Sequence, residues 1–309
     1  MQIMEGASSF TRLSLSLYVY LLIIGTYGIF FWRFILRRGL VDSLTHISMG
    51  GRRKALAGEQ SFLYWFSPIL FLALWGVASS TGIASTKAVP SPGGVLLSFW
   101  RLLKSGTLLT EASISFSRII IGFFFASTVG TVLGMVAGAF LVGRQLIAPV
   151  NSFLRYIPPT AFIVLLIVYF GVDETFKYAV VFLGVIFFII QMIIDAVDDI
   201  DARYIEIALT SGSSNWGIFK NVILPSSWPR VLDVLRINLS AAWTFLVAAE
   251  LVGAERGLGH FIAISQRFLR LEDVYAGIMT FGIIGFLTDF GLELLSHRLF
   301  RWYYVALKR

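Results

Sequence analysis

Long apolar stretches recur along the chain and are separated by shorter stretches that hold most of the charged residues. A helix needs roughly 20 apolar residues to cross the hydrocarbon core of a bilayer. The pattern therefore predicts membrane-spanning helices, and it leaves no polar stretch long enough for a separate catalytic domain in water. Seven apolar runs cover about residues 13–32, 62–83, 118–140, 160–172, 176–194, 237–253 and 276–296.

Two of these runs have unusual starts. The run 160–172 is short and follows Pro158 and Pro159, and a proline pair fits the first turn of a helix or a break. We therefore expect a short or broken helix there. The run 13–32 has no small-residue cleavage site, which favours an uncleaved anchor. The sequence thus predicts an all-α membrane protein with about six helices in a core region, residues 62–309, and one extra helix in an N-terminal extension, residues 1–61.

Basic residues suggest an orientation. Lys and Arg favour the cytoplasmic side of a membrane protein. They concentrate after the first run and in the C-terminal tail, although Arg101 and Lys104 fall on the other side. The N-terminus is therefore predicted outside and the C-terminus in the cytoplasm, with the connecting segments 141–155 and 195–236 also inside.

Composition supports a membrane location and excludes several kinds of site. Hydrophobic residues make up 57% of the 309 residues and charged residues 14%, and the mean hydropathy is +0.80, whereas soluble domains carry about a quarter charged residues. The net charge of +7 lies beside the ends of apolar runs, so we interpret it as topological and expect membrane lipid, not nucleic acid, as its partner. The absence of cysteine excludes disulfides and thiolate metal sites.

The run 118–140 carries small residues at a spacing of four, which places them on one helix face. Such a stripe lets a neighbouring backbone approach closely in lipid. Tight helix packing is the simpler interpretation, and a seam that slides during transport is the alternative. The stripe consists of Gly122, Ala126, Gly130, Gly134 and Gly138.

Glu250 is embedded in an apolar stretch, where a carboxylate is expensive unless it faces a cavity or a partner. Pairing with Arg256 is one interpretation, and a role in gating or in the solute path is the other. Trp243 and Thr244 on the same run offer a ring and a hydroxyl to a passing solute, although core packing is the simpler role. Together with Pro158 and Pro159 they form the predicted pathway or gate.

Other ionisable residues give little sign of catalysis. Four aspartates close in sequence suggest either a divalent cation site or a solvated helix end capped by Asp201, and the second fits better because calcium-loop spacing is absent. The histidines lack paired metal spacing, so we expect no metal site, cofactor or catalytic residue on the chain. No GxxxxGK[ST] loop occurs, so ATP is not bound in the P-loop manner. The aspartates are Asp195, Asp198, Asp199 and Asp201.

The most specific pattern lies at about residues 198–230, here termed the 198–230 loop. It predicts a short helix, a stop at Gly212, an amphipathic turn and a new element beginning at Leu224 and Pro225. The short helix suits either docking to another protein or resting on lipid headgroups. The residues that carry this pattern are Glu206, Ala208, Gly212, Trp216, Phe219, Leu224 and Pro225.

At these residues the sequence resembles the permease subunits of bacterial ABC importers. Their loop motif reads E-A-A, three residues, G, nine residues, I, one residue, L-P. The spacing matches in full here, with Ile207 in place of the middle alanine and Val222 in place of the isoleucine. Further stretches over residues 68–300 resemble the nitrate, sulfonate and taurine branch, among them Ser113–Arg118 and Gly253–Gly259.

This resemblance implies a type I importer fold in the bacterial inner membrane. It implies a second permease copy, cytoplasmic P-loop ATPases that hold the ATP and Mg²⁺, and a periplasmic or lipid-anchored solute-binding protein. The 198–230 loop would couple to the ATPases, and the solute would be nitrate, a sulfonate, taurine, bicarbonate or a similar small compound. The competing hypothesis is a secondary transporter or channel without ATPases, which would favour ionisable residues near mid-membrane and inverted repeats.

Overall fold

The computed structural model describes residues 68–80 and 89–306, and its regular elements there are all helical. The helices are α1 (Pro68–Ser80), α2 (Pro92–Lys104), α3 (Thr107–Ala139), α4 (Leu141–Arg155), α5 (Phe162–Phe170), α6 (Glu174–Asp198), α7 (Ala202–Thr210), α8 (Asn215–Ile218), α9 (Leu224–Gly253), α10 (Leu258–Arg267), α11 (Leu271–Leu299) and α12 (Arg301–Ala306). A 3₁₀ turn, Pro159–Ala161, precedes α5, and a π-helical turn, Phe219–Ile223, joins α8 to α9.

The chain divides at Leu97 into two compact units, Met1–Leu97 and Ser98–Arg309. In the first unit, the Trp75 indole donates to the Pro90 carbonyl at 3.0 Å, which joins α1 to the segment before α2. The predicted extension 1–61 and its apolar run 13–32 lie outside the described residues, so this part of the domain organisation stays a prediction. All elements discussed below belong to the second unit.

Four helices in the described ranges are long and apolar enough to cross a membrane: α3, α6, the continuous helix Asn215–Gly253 and α11. Each of them overlaps one of the predicted apolar runs, but the helices extend beyond those runs at one or both ends. α3 starts at Thr107 and not at 118, because Glu111 and Ser115 in its first turns accept hydrogen bonds from the backbone nitrogens of Gly257 and Leu258.

The fifth candidate span in the described ranges is broken. The helix Leu141–Arg155 and the segment Pro159–Phe170 meet at an angle of 78°, which confirms the predicted break at Pro158 and Pro159. The segment 141–155, expected as a connection, is instead an amphipathic helix that packs on α3 and α6. Its Asn151 side chain donates to the Phe187 carbonyl of α6 at 3.1 Å.

α6 lies at the centre of the unit and packs on α3, α4, α5 and α9. Of its most apolar stretch, 61% is buried, compared with 6% for α11. This central position gives α6 two ends with different surroundings. Its C-terminal end leads into the 198–230 loop, and its N-terminal end meets α3 and the end of α9.

Candidate functional site

The 198–230 loop begins with α7, and Asp201 caps this helix as the sequence predicts. The Asp201 carboxylate accepts from the Arg203 backbone nitrogen at 3.0 Å and also pairs with the Arg203 guanidinium. These hydrogen bonds lower the pKa of Asp201 from its ordinary value of 3.8 to about 2. The capping carboxylate is therefore ionised at neutral pH, which suits the positive end of the helix dipole.

Large apolar side chains of this loop face outward. No residue of α7 is buried, and Ile207, Leu209 and Trp216 are 63%, 53% and 64% exposed. Glu206 of the motif is also exposed, whereas Ala208 is partly buried against the core of the unit. α7 therefore presents one face to its own bundle and leaves the rest uncovered.

Gly212 ends α7 with a positive φ of +79°, a conformation that glycine adopts without steric cost. The Ser213 nitrogen then donates to the Ala208 carbonyl at 3.0 Å and the Gly212 nitrogen donates to the Leu209 carbonyl at 3.0 Å, closing the helix end. Ser214 caps α8 through the Gly217 nitrogen at 3.1 Å. These bonds fix the direction of α8 relative to α7.

Phe219, Leu224 and Pro225 connect the loop to its long helix. The Phe219 ring contacts Trp216 and Phe140 at centroid distances of 5.3 and 5.2 Å. Trp216 therefore packs on Phe219 with one part of its ring, while most of its side chain remains exposed. Leu224 and Pro225 form the first turn of α9. Proline has no backbone N–H to donate, and a first-turn position does not require one. The helix nevertheless continues back through the π-helical turn to Asn215.

Each aspartate at the base of the loop has a partner from the protein. Asp198 pairs with Arg144 of α4, Asp199 pairs with Arg230 of α9, and Asp195 accepts from Gln191. Asp198 and Asp199 thus fasten the end of α6 to α4 and α9. In the part of the chain that the structure describes, no group of three or more metal-ligating side chains is found.

At the opposite end of α6, Glu250 lies in a buried cluster of charges. Its side chain is 0% exposed, and it accepts from Ser115 at 2.8 Å, from Arg118 at 2.7 Å and from the Gly259 nitrogen at 2.8 Å. Glu250 thus pairs with a cation, as one interpretation of the sequence expects, but the cation is Arg118 and not Arg256. Arg256 reaches Glu111 at 3.6 Å instead.

Arg118 joins Glu250 to the start of α6. Its Nε and Nη2 atoms donate to the two carboxylate oxygens of Glu174 at 2.7 and 2.5 Å, and Lys177 donates to the same carboxylate at 2.9 Å. We call Ser115, Arg118, Glu174, Lys177 and Glu250 the ion cluster. A cavity of about 420 Å³ opens beside it.

The ion cluster leaves no room for a side chain at Gly257. A Cβ atom there would lie 2.5 Å from Arg118 Nη1 and would also contact Glu250, and the residue has a φ of +111°. The stretch Gly253–Gly259 therefore requires glycine because its backbone wraps the ion cluster.

The other predicted pathway residues are scattered. Trp243 is buried, with its ring edge-on to Phe281 and its Nε1 atom 3.4 Å from the Thr288 hydroxyl, whereas Thr244 is exposed. Pro158 is exposed and Pro159 half-buried at the break before α5. The structure brings none of these four residues into the ion cluster.

The small-residue stripe of α3 lies against α6. A Cβ atom added at Gly122, Gly130, Gly134 or Gly138 would come within 2.7–2.8 Å of the side chain of Val181, Ile189, Ile193 or Val197 respectively, and Ala126 is 0% exposed. The two helices thus pack in register along the stripe.

Sequence reasoning missed Arg118, Glu174 and Lys177 as partners of Glu250. The available signal was Arg118 itself, a cation directly before an apolar stretch, which needs a carboxylate nearby. It also missed Arg236 of α9, which pairs with Asp289 at 2.6 Å and Glu293 at 2.8 Å on α11.

Comparison with known proteins identifies the family to which this chain is similar. Residues 130–301 match the family described as binding-protein-dependent transport system inner membrane component. The chain is 35% identical to the putative aliphatic sulfonates transport permease protein SsuC of Escherichia coli (strain K12), over 77% of this chain and 90% of that protein. It is 30% identical to the taurine transport system permease protein TauC of the same organism, over 76% of this chain and 87% of that protein.

A solved structure shows the same fold. The MetNI methionine ABC transporter in an inward-facing conformation aligns with a TM-score of 0.53 and 18% identity, over 60% of this chain and 92% of that chain. The resemblance to the nitrate, sulfonate and taurine branch and the type I permease fold are confirmed. The chain belongs to the family of binding-protein-dependent transport system inner membrane components and is a multi-pass permease subunit of an ABC importer.

Proposed function

We propose that the 198–230 loop is the surface through which cytoplasmic P-loop ATPases drive this permease. The observation that carries the proposal is the uncovered apolar face of α7 and α8, with Ile207, Leu209 and Trp216 more than half exposed at the end of the helical bundle. Fully burying one such side chain contributes about 1.5–3 kcal/mol. A groove that covers all three supplies enough free energy to hold the loop during a closing motion.

The remaining arrangement follows from that contact. A second copy of the chain completes the pathway, ATP and Mg²⁺ reside on the ATPases, and hydrolysis takes place there. The C-terminus and the 198–230 loop face the cytoplasm, and the ion cluster faces the outside, where a solute-binding protein delivers its cargo. The protein lies in the bacterial inner membrane, with its N-terminus on the outer side.

For the solute, we favour a small organic sulfonate or a similar small anion. Support comes from the relatives named for aliphatic sulfonates and for taurine and from the sequence resemblance to the branch that includes nitrate permeases. The pathway assignment of Pro158, Pro159, Trp243 and Thr244 remains part of this proposal.

The decisive experiment compares two exposed tryptophans. Trp216→Ser removes a ring from the 198–230 loop, and Trp302→Ser removes a 59% exposed ring from α12 as a matched control. We expect Trp216→Ser to reduce ATP-driven uptake of a sulfonate at least tenfold and to release the ATPase during purification, while Trp302→Ser changes neither.

A second variant tests the loop backbone. Gly212→Ala meets no atom within 4 Å, so its effect comes from the positive φ alone, at a cost of about 1–2 kcal/mol. We expect weaker ATPase binding without loss of folded permease. Unchanged uptake and ATPase binding in both variants would contradict the proposal, and uptake that needs a proton gradient but no ATP would favour a secondary transporter.

A further inference from the structure

The cavity beside the ion cluster combines buried cations with an exposed counter-ion. Its volume is about 420 Å³. The Arg118 and Lys177 side chains are only 3% and 5% exposed, whereas the Glu174 carboxylate that pairs with both is 49% exposed. The charged side chains lining it are Arg118, Lys177, Arg256, Asp173, Glu174 and Glu255.

Two carboxylates hold Arg118, and they differ in how easily they can leave. Glu250 is 0% exposed and is fixed by Ser115 and the Gly259 nitrogen as well. Removing it would leave the buried Ser115 hydroxyl and Gly259 nitrogen without their acceptor, which is unfavourable. Glu174 sits at the cavity and can turn into water, so only this carboxylate is replaceable.

We propose that the cavity is an entry subsite in which the anionic group of the solute replaces the Glu174 carboxylate on Arg118 and Lys177. Glu174 presents two oxygens to Arg118 Nε and Nη2 at 2.7 and 2.5 Å. Sulfonate, nitrate and carboxylate groups offer the same pair of oxygens, and a guanidinium binds such pairs in a bidentate manner. The inference rests on the proposed function, because it assumes that the solute is a small oxyanion.

The exchange preserves charge balance. Before it, Arg118 and Lys177 face Glu174 and Glu250. After it, they face the solute anion and Glu250, and Glu174 is solvated outside. Binding therefore leaves no unpaired buried charge, whereas adding an anion without displacing Glu174 would.

The position of the cavity in the fold fits an entry subsite for the solute. The cavity lies at the α6 end opposite the 198–230 loop, about 37 Å away at 1.5 Å per residue. A tethered carboxylate competes at an effective concentration in the millimolar range or above, and among the other charged lining residues the carboxylates Asp173 and Glu255 outnumber the cation Arg256. The subsite is therefore weak, as a site that must pass its ligand onward requires.

The test measures thermal stabilisation of the purified permease–ATPase complex by sodium methanesulfonate, with sodium chloride at equal ionic strength as the reference. A maltoside detergent carries no phosphate, so any shift reports the added anion. Glu174→Gln removes the competitor, and Glu272→Gln, an exposed carboxylate at the start of α11, is the matched control.

We expect half-maximal stabilisation at millimolar methanesulfonate in the wild type, at a concentration at least about tenfold lower in Glu174→Gln, and unchanged in Glu272→Gln. An assembled Glu174→Gln complex with the wild-type midpoint, or no difference between methanesulfonate and chloride in wild type and variant, would overturn the proposal. A methanesulfonate response that disappears on adding phosphatidylglycerol would assign the subsite to a lipid phosphate and would also overturn it.

Lys177→Gln keeps the test decisive if Glu174→Gln fails to assemble. This variant retains both partners of Arg118 and loses one cation of the subsite, so the midpoint should rise about tenfold, and an unchanged midpoint would overturn the proposal. Failure of this inference is separable from failure of the proposed function, because a Trp216→Ser complex that loses its ATPase supports the latter whatever methanesulfonate does.

Discussion

The two ends of α6 are fastened in different ways. Beside the N-terminal end, the Arg118–Glu250 pair that joins α3 to α9 is buried, with side chains 3% and 0% exposed, and Glu174 of α6 binds the same Arg118 from a 49% exposed position. At the C-terminal end, the Arg144–Asp198 pair has similar geometry but is 41% and 49% exposed, and the loop beyond it carries uncovered apolar residues. One end is secured by charges that cannot separate cheaply, and the other by charges that can.

This difference indicates which end of the helical bundle can change its conformation at low cost. Exposed ion pairs contribute little because water replaces them, so the 198–230 loop can shift at low cost. Breaking the buried Arg118–Glu250 pair leaves buried donors without an acceptor, which is costly, so α3 and α9 stay joined at the ion cluster while the loop end moves.

The largest effect is expected from Glu250→Ala. It leaves the Ser115 hydroxyl and the Gly259 nitrogen without their acceptor and Arg118 with Glu174 as its remaining carboxylate partner, at a cost of about 1–3 kcal/mol for each unpaired buried donor, and the yield of folded permease should collapse. Fluorescence-detected size exclusion of the detergent extract measures this. Glu272→Ala is the control, and a wild-type yield for Glu250→Ala would refute the view that this end is fastened by the buried pair.

Gly134→Val should follow in size. Its Cβ atom would lie 2.8 Å from the Ile193 Cβ and 3.0 Å from the Ile190 carbonyl oxygen, so α3 and α6 would have to separate. Overpacking of this kind costs about 1–3 kcal/mol. A melting temperature measured in detergent should fall for Gly134→Val and hold for Gly282→Ala, whose Cβ meets nothing within 4 Å. Equal melting temperatures would contradict close packing along the stripe.

Arg144→Ala probes the exposed pair directly. The expected loss is below about 1 kcal/mol, so the melting temperature should change little while Glu250→Ala abolishes folding. A double-mutant cycle with Asp198→Ala measures the coupling between the two side chains. A coupling as large as that of the buried pair would remove the contrast between the two ends.

The smallest effect concerns the cap of α7. Because the pKa of Asp201 falls from 3.8 to about 2 on folding, the carboxylate stabilises α7 fully above pH 4 and loses this contribution as the pH falls through about 2. The rate at which pepsin cleaves the loop should increase more steeply between pH 4 and pH 2 in the wild type than in Asp201→Asn, because the Asn amide caps the helix without titrating. Identical pH profiles would show that the ionised cap does not hold the helix.

The sequence predicts the loop better than the ion cluster, for a physical reason. The cap at Asp201, the stop at Gly212 and the helix start at Leu224 depend on residues close in the chain, so spacing alone reveals them. The partners of Glu250 come from α3 and α10, and such long-range pairing depends on how the helices pack. Arg256 was the nearest cation in sequence, and it was the wrong partner.

Helix boundaries show the same division. Apolar runs locate the spans, but α3 and α11 extend beyond them because polar turns at their ends bond to neighbouring segments. The break at Pro158 and Pro159 is local and was predictable. The helix 141–155 was not, since its amphipathic pattern resembles that of a surface connection until α3 and α6 are in place.

The π-helical turn at Phe219–Ile223 makes α8 and α9 one continuous helix, Asn215–Gly253, of 39 residues. At 1.5 Å per residue this rod is about 58 Å long, with Trp216 near one end and Glu250 near the other. The loop and the ion cluster are therefore linked along one helix backbone, with no chain of side-chain contacts needed between them. Gly212, with its positive φ, separates this long helix from α7.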